Sequence, residues 1–165
     1  MTGGTAAPAD RENLTAYYRG AAARALELIR PMLEAAVRDT RVGESGVLHV
    51  VVMDPLQTPA NADFLDAILY EESVGRDPAS WDADYAAFAR EKAELSWRTG
   101  LDGHAVCTVA AHLLLPGDAA RWGSVWHDGI IVGVSGAQPW YDEAFAGAVA
   151  HAFKAVLKDY RLREG

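Results

Sequence analysis

The residues of this chain able to do chemistry are a glycine-rich corner, five histidines, five tryptophans and a few carboxylates set near them. The corner is Gly133-Val134-Ser135-Gly136, between an apolar run and a helix-forming segment. Glycine lets backbone N–H groups come close to a ligand, and a helix N-terminus adds free donors and partial positive charge. Together they suit a carboxylate or another anion. A tight strand-to-helix corner would use the same residues for architecture alone. The pattern is not Gly-x-Ser-x-Gly, so it is no nucleophile elbow, and it lacks the lysine of a phosphate-binding loop. Asp142 falls near the start of the following helix, where a carboxylate offsets the helix dipole.

His104 and His127 fall at the edges of elements, and an imidazole placed there can ligate iron or move a proton. His49 and His112 lie inside apolar runs as expected for core histidines, and no His-x-x-x-His spacing suggests a metal cage. Lys92 sits on a helical stripe otherwise filled by aromatic residues, so it must either find a partner or snorkel to the surface. Glu71 and Glu72 are adjacent carboxylates, and on a regular element neighbours point in different directions. The candidate ligand-binding set is therefore His104, Gly133, Ser135, Gly136, Trp126, Trp140 and Lys92, with His104 as the metal ligand. The candidate acid–base pair is His127 and Glu72.

These residues need elements to position them. From Leu14 to about Arg38 apolar residues recur at three- and four-residue steps, which predicts an amphipathic helix that Pro31 kinks or divides. Gly46 to Asp54 is apolar and β-branched, a buried strand. Ala62 to Tyr70 fits either a helix or a distorted strand. Asp77-Pro78 is a helix start, followed by the stripe Trp81, Tyr85, Phe88, Ala89, Lys92 and Leu95, with Gly100 as the stop. His104 to Leu115 reads as a further strand or strand pair ending at Pro116-Gly117. Trp122 to Trp126 and Ile130 to Val134 make a hairpin around Asp128-Gly129, and Phe145, Val149, Phe153 and Val156 mark a last helix. The expectation is one α+β domain with a mainly antiparallel sheet.

A chain of 165 residues is long enough for one well-packed core. A composition 50% apolar and 23% charged excludes wholesale disorder. The net charge of -8, with no basic run, argues against nucleic acid as a partner. One cysteine, Cys107, leaves no disulfide framework. No apolar run reaches the roughly 18 residues of a membrane span, and residues 1–13 hold no secretory signal pattern. A cytoplasmic protein with a disordered segment 1–13 and a domain over 14–165 is expected.

Three stretches resemble the GlcG/HbpS-like proteins, a family of small domains that includes haem-binding members. Val50-Val51-Val52-Met53-Asp54 resembles the family's first strand, and Glu91-Lys92-Ala93 its helical Lys-Ala. Ile131-Val132-Gly133-Val134-Ser135-Gly136-Ala137 with Asp142 resembles its Gly-Val-Ser-Gly-Ala and downstream Asp, the most specific of the three. The resemblance implies a profilin-like fold with a mainly antiparallel five-stranded sheet flanked by helices, a homo-oligomer, and haem or a related tetrapyrrole as ligand. Gly103-His104 stands where the family usually has a threonine, and Gly123-Ser124-Val125-Trp126 replaces its Gly-Gly-x-Pro. The scaffold is thus expected to be kept and the pocket altered. Three functions remain open: a tetrapyrrole-binding protein; a cofactor-free lyase, isomerase or hydrolase for a small carboxylate; and a non-catalytic subunit with an aromatic interface.

Overall fold

Seven consecutive buried residues, Val47–Met53, form β1. A strand apolar on both faces must be covered on both, and this requirement organises the molecule. The structure, a computed structural model, describes residues 8–118 and 120–164. Helix α1 is Pro8–Val37, β2 Ile68–Gly75, α2 Tyr85–Thr99, α3 Gly103–Thr108, β3 Ser124–His127, β4 Ile130–Ser135 and α4 Pro139–Glu164. The strands form one antiparallel sheet in the order β2-β1-β4-β3, with Val51 opposite Glu71 on one side and Gly133 on the other. Helices α1 and α4 cover one face, where Leu26, Leu33, Phe145, Val149 and Phe153 pack on Leu48, Val50, Val52, Val132 and Val134. Helix α2 covers the other, where Ala89, Ala93 and Trp97 meet Val51, Met53 and Ile131.

Local chemistry sets the element ends. The Asp84 carboxylate accepts from Ala87 N at 3.0 Å to start α2, and Gly100, left-handed at φ 71°, ends it by donating to Ser96 O at 2.9 Å. Asp128 and Gly129, at φ 49° and 83°, make the two-residue turn between β3 and β4. No helix among the described residues is long and apolar enough to cross a membrane.

Several expectations change. Helix α1 runs unbroken through Pro31, because one lost hydrogen bond is outweighed by the burial of Leu26 and Leu33 on either side of it. It begins at Pro8, so residues 8–13 are helical, while residues 1–7 of the expected disordered segment lie outside the described residues. Between Ala62 and Tyr70 both readings hold in part: a 3-10 turn at Leu65–Ala67 leads into β2, which continues to Gly75. Asp77-Pro78 starts only a 3-10 turn, Pro78–Ser80, and the helix proper waits for Asp84.

Among the described residues the sheet has four strands, not five. The segment expected as the additional strand, His104 to Leu115, folds into α3 and a 3-10 turn at Ala111–Leu113. The edge nearest this segment, that of β3, is closed. The Trp126 N–H there donates to the Asp102 carboxylate at 2.8 Å, and Gly103 packs so tightly that a Cβ on it would lie 2.7 Å from Ser124 Oγ.

Candidate functional site

The glycine corner is used for packing. Gly133 to Ser135 belong to β4 rather than to a turn, and all are buried. A Cβ on Gly133 would stand 2.5 Å from Ala89 O and 2.8 Å from Ala93 N, so glycine here lets α2 lie directly on the sheet. Gly136, at φ 133°, makes the corner itself against the Val47 carbonyl.

That close approach carries Lys92 into the interior. Its ammonium donates to Val134 O at 3.1 Å, Ser135 Oγ at 3.4 Å and Asp142 Oδ2 at 2.9 Å. Lys92 is 4% exposed and Asp142 1%, so the pair is sealed from water. Gly123, at φ 132°, lies over it, and a Cβ there would be 2.9 Å from Nζ. The other Asp142 oxygen accepts from Ala137 N at 2.9 Å. Burial pushes the Asp142 carboxyl up to about 6, against the pull of Lys92 and the N–H groups of Ala137 and Gly136. The donors expected for an external anion are thus taken by an internal one. Lys92, Gly133, Ser135 and Gly136 knit α2, β4 and α4 together.

A different set of residues forms an open cleft. Asp102 precedes α3 and, through its bond to Trp126 N–H, pins that helix beside β3. This sets the His104 ring against Trp122, with centroids 4.4 Å apart at 60°. Beside them a cleft of about 240 Å³ is lined by Ala120, Arg121, Trp122, Pro139 and Trp140. Trp140 is 57% exposed, a large apolar surface left in water at the rim. The Arg121 guanidinium sits 4.6 Å from the Phe88 ring centre, a cation–π contact that holds it at the cleft wall.

Glu143, three residues beyond Trp140 on α4, completes the group. Its Oε2 is buried with no partner among the described residues. Burial raises its pKa, His104 lowers it and Asp102 raises it, so the three side chains share one electrostatic neighbourhood. A carboxyl without a partner in such a place favours taking a proton or meeting a donor. The cleft therefore offers two indole walls and a guanidinium, with the His104 imidazole behind Trp122: a set suited to a planar aromatic ligand with a polar edge.

The remaining candidates lie elsewhere. Glu72, on β2, faces α1 and pairs with Arg30, leaving its Oε2 buried with no partner among the described residues. Glu71 points to the opposite face, bonding His49 Nε2 at 3.0 Å and Arg90 Nε at 2.8 Å, as the pleat requires. His127, on β3, faces α4, where its ring lies 4.0 Å from that of His151 and accepts from Lys154 Nζ at 3.3 Å. Lys154 also pairs with Asp128. Since β2 and β3 are the two edge strands, Glu72 and His127 sit on opposite sides of the molecule and form no common site. Trp126, the neighbour of His127, points to the other face of β3 and is 43% exposed. His49 is a core histidine, held by Ser73 Oγ at 2.7 Å and Glu71.

Sequence reasoning reached His104 and Trp140 but missed Trp122, Arg121, Asp102 and Glu143. One signal was present: Glu143 is three residues after Trp140 on a helix, and therefore on the same face. The placing of α3 beside β3 had no local signature.

No family model matches the chain, and no curated protein does. Among solved structures, the crystal structure of a double mutant of Streptomyces reticuli HbpS is 25% identical, with a TM-score of 0.50, covering 81% of this chain and 84% of its own. A crystal structure of HbpS itself is 22% identical, with a TM-score of 0.47, covering 81% of this chain and 86% of its own. The Lys92–Asp142 pair joins α2 to the β4–α4 corner, and over four-fifths of its length the chain is similar in structure to HbpS.

Proposed function

We propose that the chain is a small-molecule-binding protein that takes haem or a related tetrapyrrole at the Trp122–Trp140 cleft, on a scaffold we read as profilin-like. The observation that carries this reading is the His104 ring held against Trp122 beside an open aromatic cleft. A cleft of about 240 Å³ is smaller than sites that enclose a drug-sized ligand, so it fits one edge of a tetrapyrrole rather than the whole ring. Trp122 and Trp140 would hold that edge, Arg121 would meet a carboxylate, and His104 would serve as iron ligand. No group of three His, Cys, Asp or Glu side chains among the described residues is arranged for a bare metal ion. Haem, when bound, supplies the iron and the Soret absorption.

The chain's own contributions are orientation and desolvation. The Asp102 anchor fixes α3, and with it the imidazole. Glu143 holds a carboxyl ready to accept a ligand N–H or to keep a proton out of water. We infer a homo-oligomer, supported by Leu28 and Met32, which leave 50% and 45% of their surface exposed one turn apart on α1. The free Cys107 thiol, raised in pKa by burial, suits a reducing compartment such as the cytoplasm. Catalysis on a small carboxylate has weaker support, because its proposed acid–base pair is split between the two sheet edges.

Haemin titration of the purified protein tests the reading. A saturable Soret shift that weakens at least about tenfold in His104→Ala is expected. No Soret shift, or an unchanged affinity in the variant, would overturn it.

A further inference from the structure

Toward the far end of α4 a second and larger cleft runs between α1 and α4. It measures about 600 Å³ and is lined by Tyr17, Tyr18, Lys154, Leu157, Lys158, Arg161 and Glu164. That volume lies within the range of small-molecule sites. The α1 side contributes aromatic surface: the Tyr17 ring meets Tyr18 at 5.9 Å and Tyr160 at 5.5 Å, both edge to face. The α4 side contributes charge. Lys154, Lys158 and Arg161 follow one another at four- and three-residue steps, so their side chains emerge along one stripe of the helix.

This concentration is out of keeping with a chain of net charge -8 that has only 15 basic residues. Lys154 pairs with Asp128, and Arg163, one turn away from the stripe, pairs with Asp159. Lys158 and Arg161 make no ion pair among the described residues. The negative end of the helix dipole accounts for a basic residue in the last turn, such as Arg161. It does not account for Lys154 and Lys158, which stand further up the helix. One carboxylate, Glu164, lies at the rim.

We propose that this cleft is a binding site for an aromatic phosphate, with the ring against Tyr17 and Tyr18 and the phosphate between Lys158 and Arg161. Charge-assisted hydrogen bonds from an ammonium and a guanidinium are the strongest available to a phosphate, and tyrosine rings lining a cleft favour a planar ring over an aliphatic chain. The site is independent of the tetrapyrrole reading, since it shares no residue with the Trp122–Trp140 cleft.

Calorimetric titrations with adenosine monophosphate and flavin mononucleotide, beside adenosine and inorganic phosphate, test it. At least one of the two aromatic phosphates is expected to bind with a dissociation constant below about 1 mM. Adenosine and phosphate alone bind at least about tenfold more weakly, because each makes half of the contacts. The double variant Lys158→Gln/Arg161→Gln and the single variant Tyr17→Ala each lose about tenfold or more, while Arg163→Gln, whose charge is already paired, keeps the wild-type affinity. Three results overturn the proposal: no binding of either aromatic phosphate at millimolar concentration, phosphate binding as tightly as its aromatic esters, or Arg163→Gln losing as much as the double variant. The second result would mean a site for any anion, and the third a diffuse positive surface.

Discussion

Replacing Lys92 by methionine keeps most of the side-chain volume and removes the charge that faces Asp142. In the folded protein that carboxyl sits at about 6, raised by burial from 3.8 and restrained chiefly by the attraction of Lys92. Without Lys92 it climbs further. A carboxyl whose folded pKa is above its unfolded value favours folding most at low pH, and that advantage falls as pH rises until the folded pKa is passed. For the wild type the fall ends near pH 6. For the variant it continues above pH 6, so the gap between the two widens there by up to about 1.4 kcal/mol per pH unit.

At pH 5, where Asp142 is mostly protonated in both proteins, the variant loses the hydrogen bonds from Nζ to Val134 O and Ser135 Oγ, about 1–3 kcal/mol. At pH 8 the loss approaches the 3–5 kcal/mol typical of breaking a buried ion pair, roughly 2 M in urea midpoint. Urea unfolding of both proteins at four pH values between 5 and 8 measures the gap. The depressed carboxyls of Asp39, Asp118, Asp128 and Glu71 act equally on both proteins and cancel. A penalty constant with pH, or smaller at pH 8 than at pH 5, would refute the reasoning. A second substitution, Asp142→Leu, should recover most of the loss, because a buried pair can often be exchanged for apolar side chains without net destabilisation.

Gly133→Ala places a methyl group against the backbone of α2, which cannot yield as a side chain could. A loss of about 1–3 kcal/mol, or roughly 4–10 °C in Tm for a domain of this size, is expected by circular dichroism. An unchanged Tm would show that α2 does not lie as close as Ala89 O and Ala93 N imply. Asp102→Ala frees the Trp126 N–H and loosens α3, so the Trp126 amide should exchange with deuterium much faster, at a cost of about 1–2 kcal/mol. Equal exchange rates would mean that α3, not the carboxylate, protects the β3 edge. Light scattering should give a mass above that of one chain, and Leu28→Glu/Met32→Glu should lower it; a monomeric wild type would remove the inferred assembly.

Much of the fold is written in local pattern. The apolar run of β1, the Gly100 cap of α2, the Asp128-Gly129 turn and the stripe of α4 each declare themselves within a few residues. The failures share a cause, which is tertiary context. His104 to Leu115 has strand-like composition, yet the β3 edge it would join is occupied by the Asp102 carboxylate. The Asp77-Pro78 start is genuine in capping, since Asp77 accepts from Ala79 N at 2.9 Å, but the helix it begins is a single turn.

The site was less legible than the fold. Family-like residues such as Gly133, Ser135 and Lys92 drew attention as ligand contacts, and the structure puts them in the interior, where they join three elements. Shared motifs report on what must be packed alike. Trp122 becomes visible only when α3 sets His104 against it, and Glu143 only when α4 is placed within reach of the charges of His104 and Asp102, arrangements with no periodicity of their own.

The central claim is that ligand enters beside Trp122 and Trp140, and the indole N–H resonances of the five tryptophans test it directly. Trp81 donates to Arg76 O at 3.0 Å and Trp97 to Gln57 O at 3.1 Å, both away from the cleft, which makes them internal references. On titration with a diamagnetic zinc tetrapyrrole the account predicts large shifts at Trp122 and Trp140, with Trp81 and Trp97 unmoved. Shifts confined to other tryptophans, or the same small drift at all five, would contradict it.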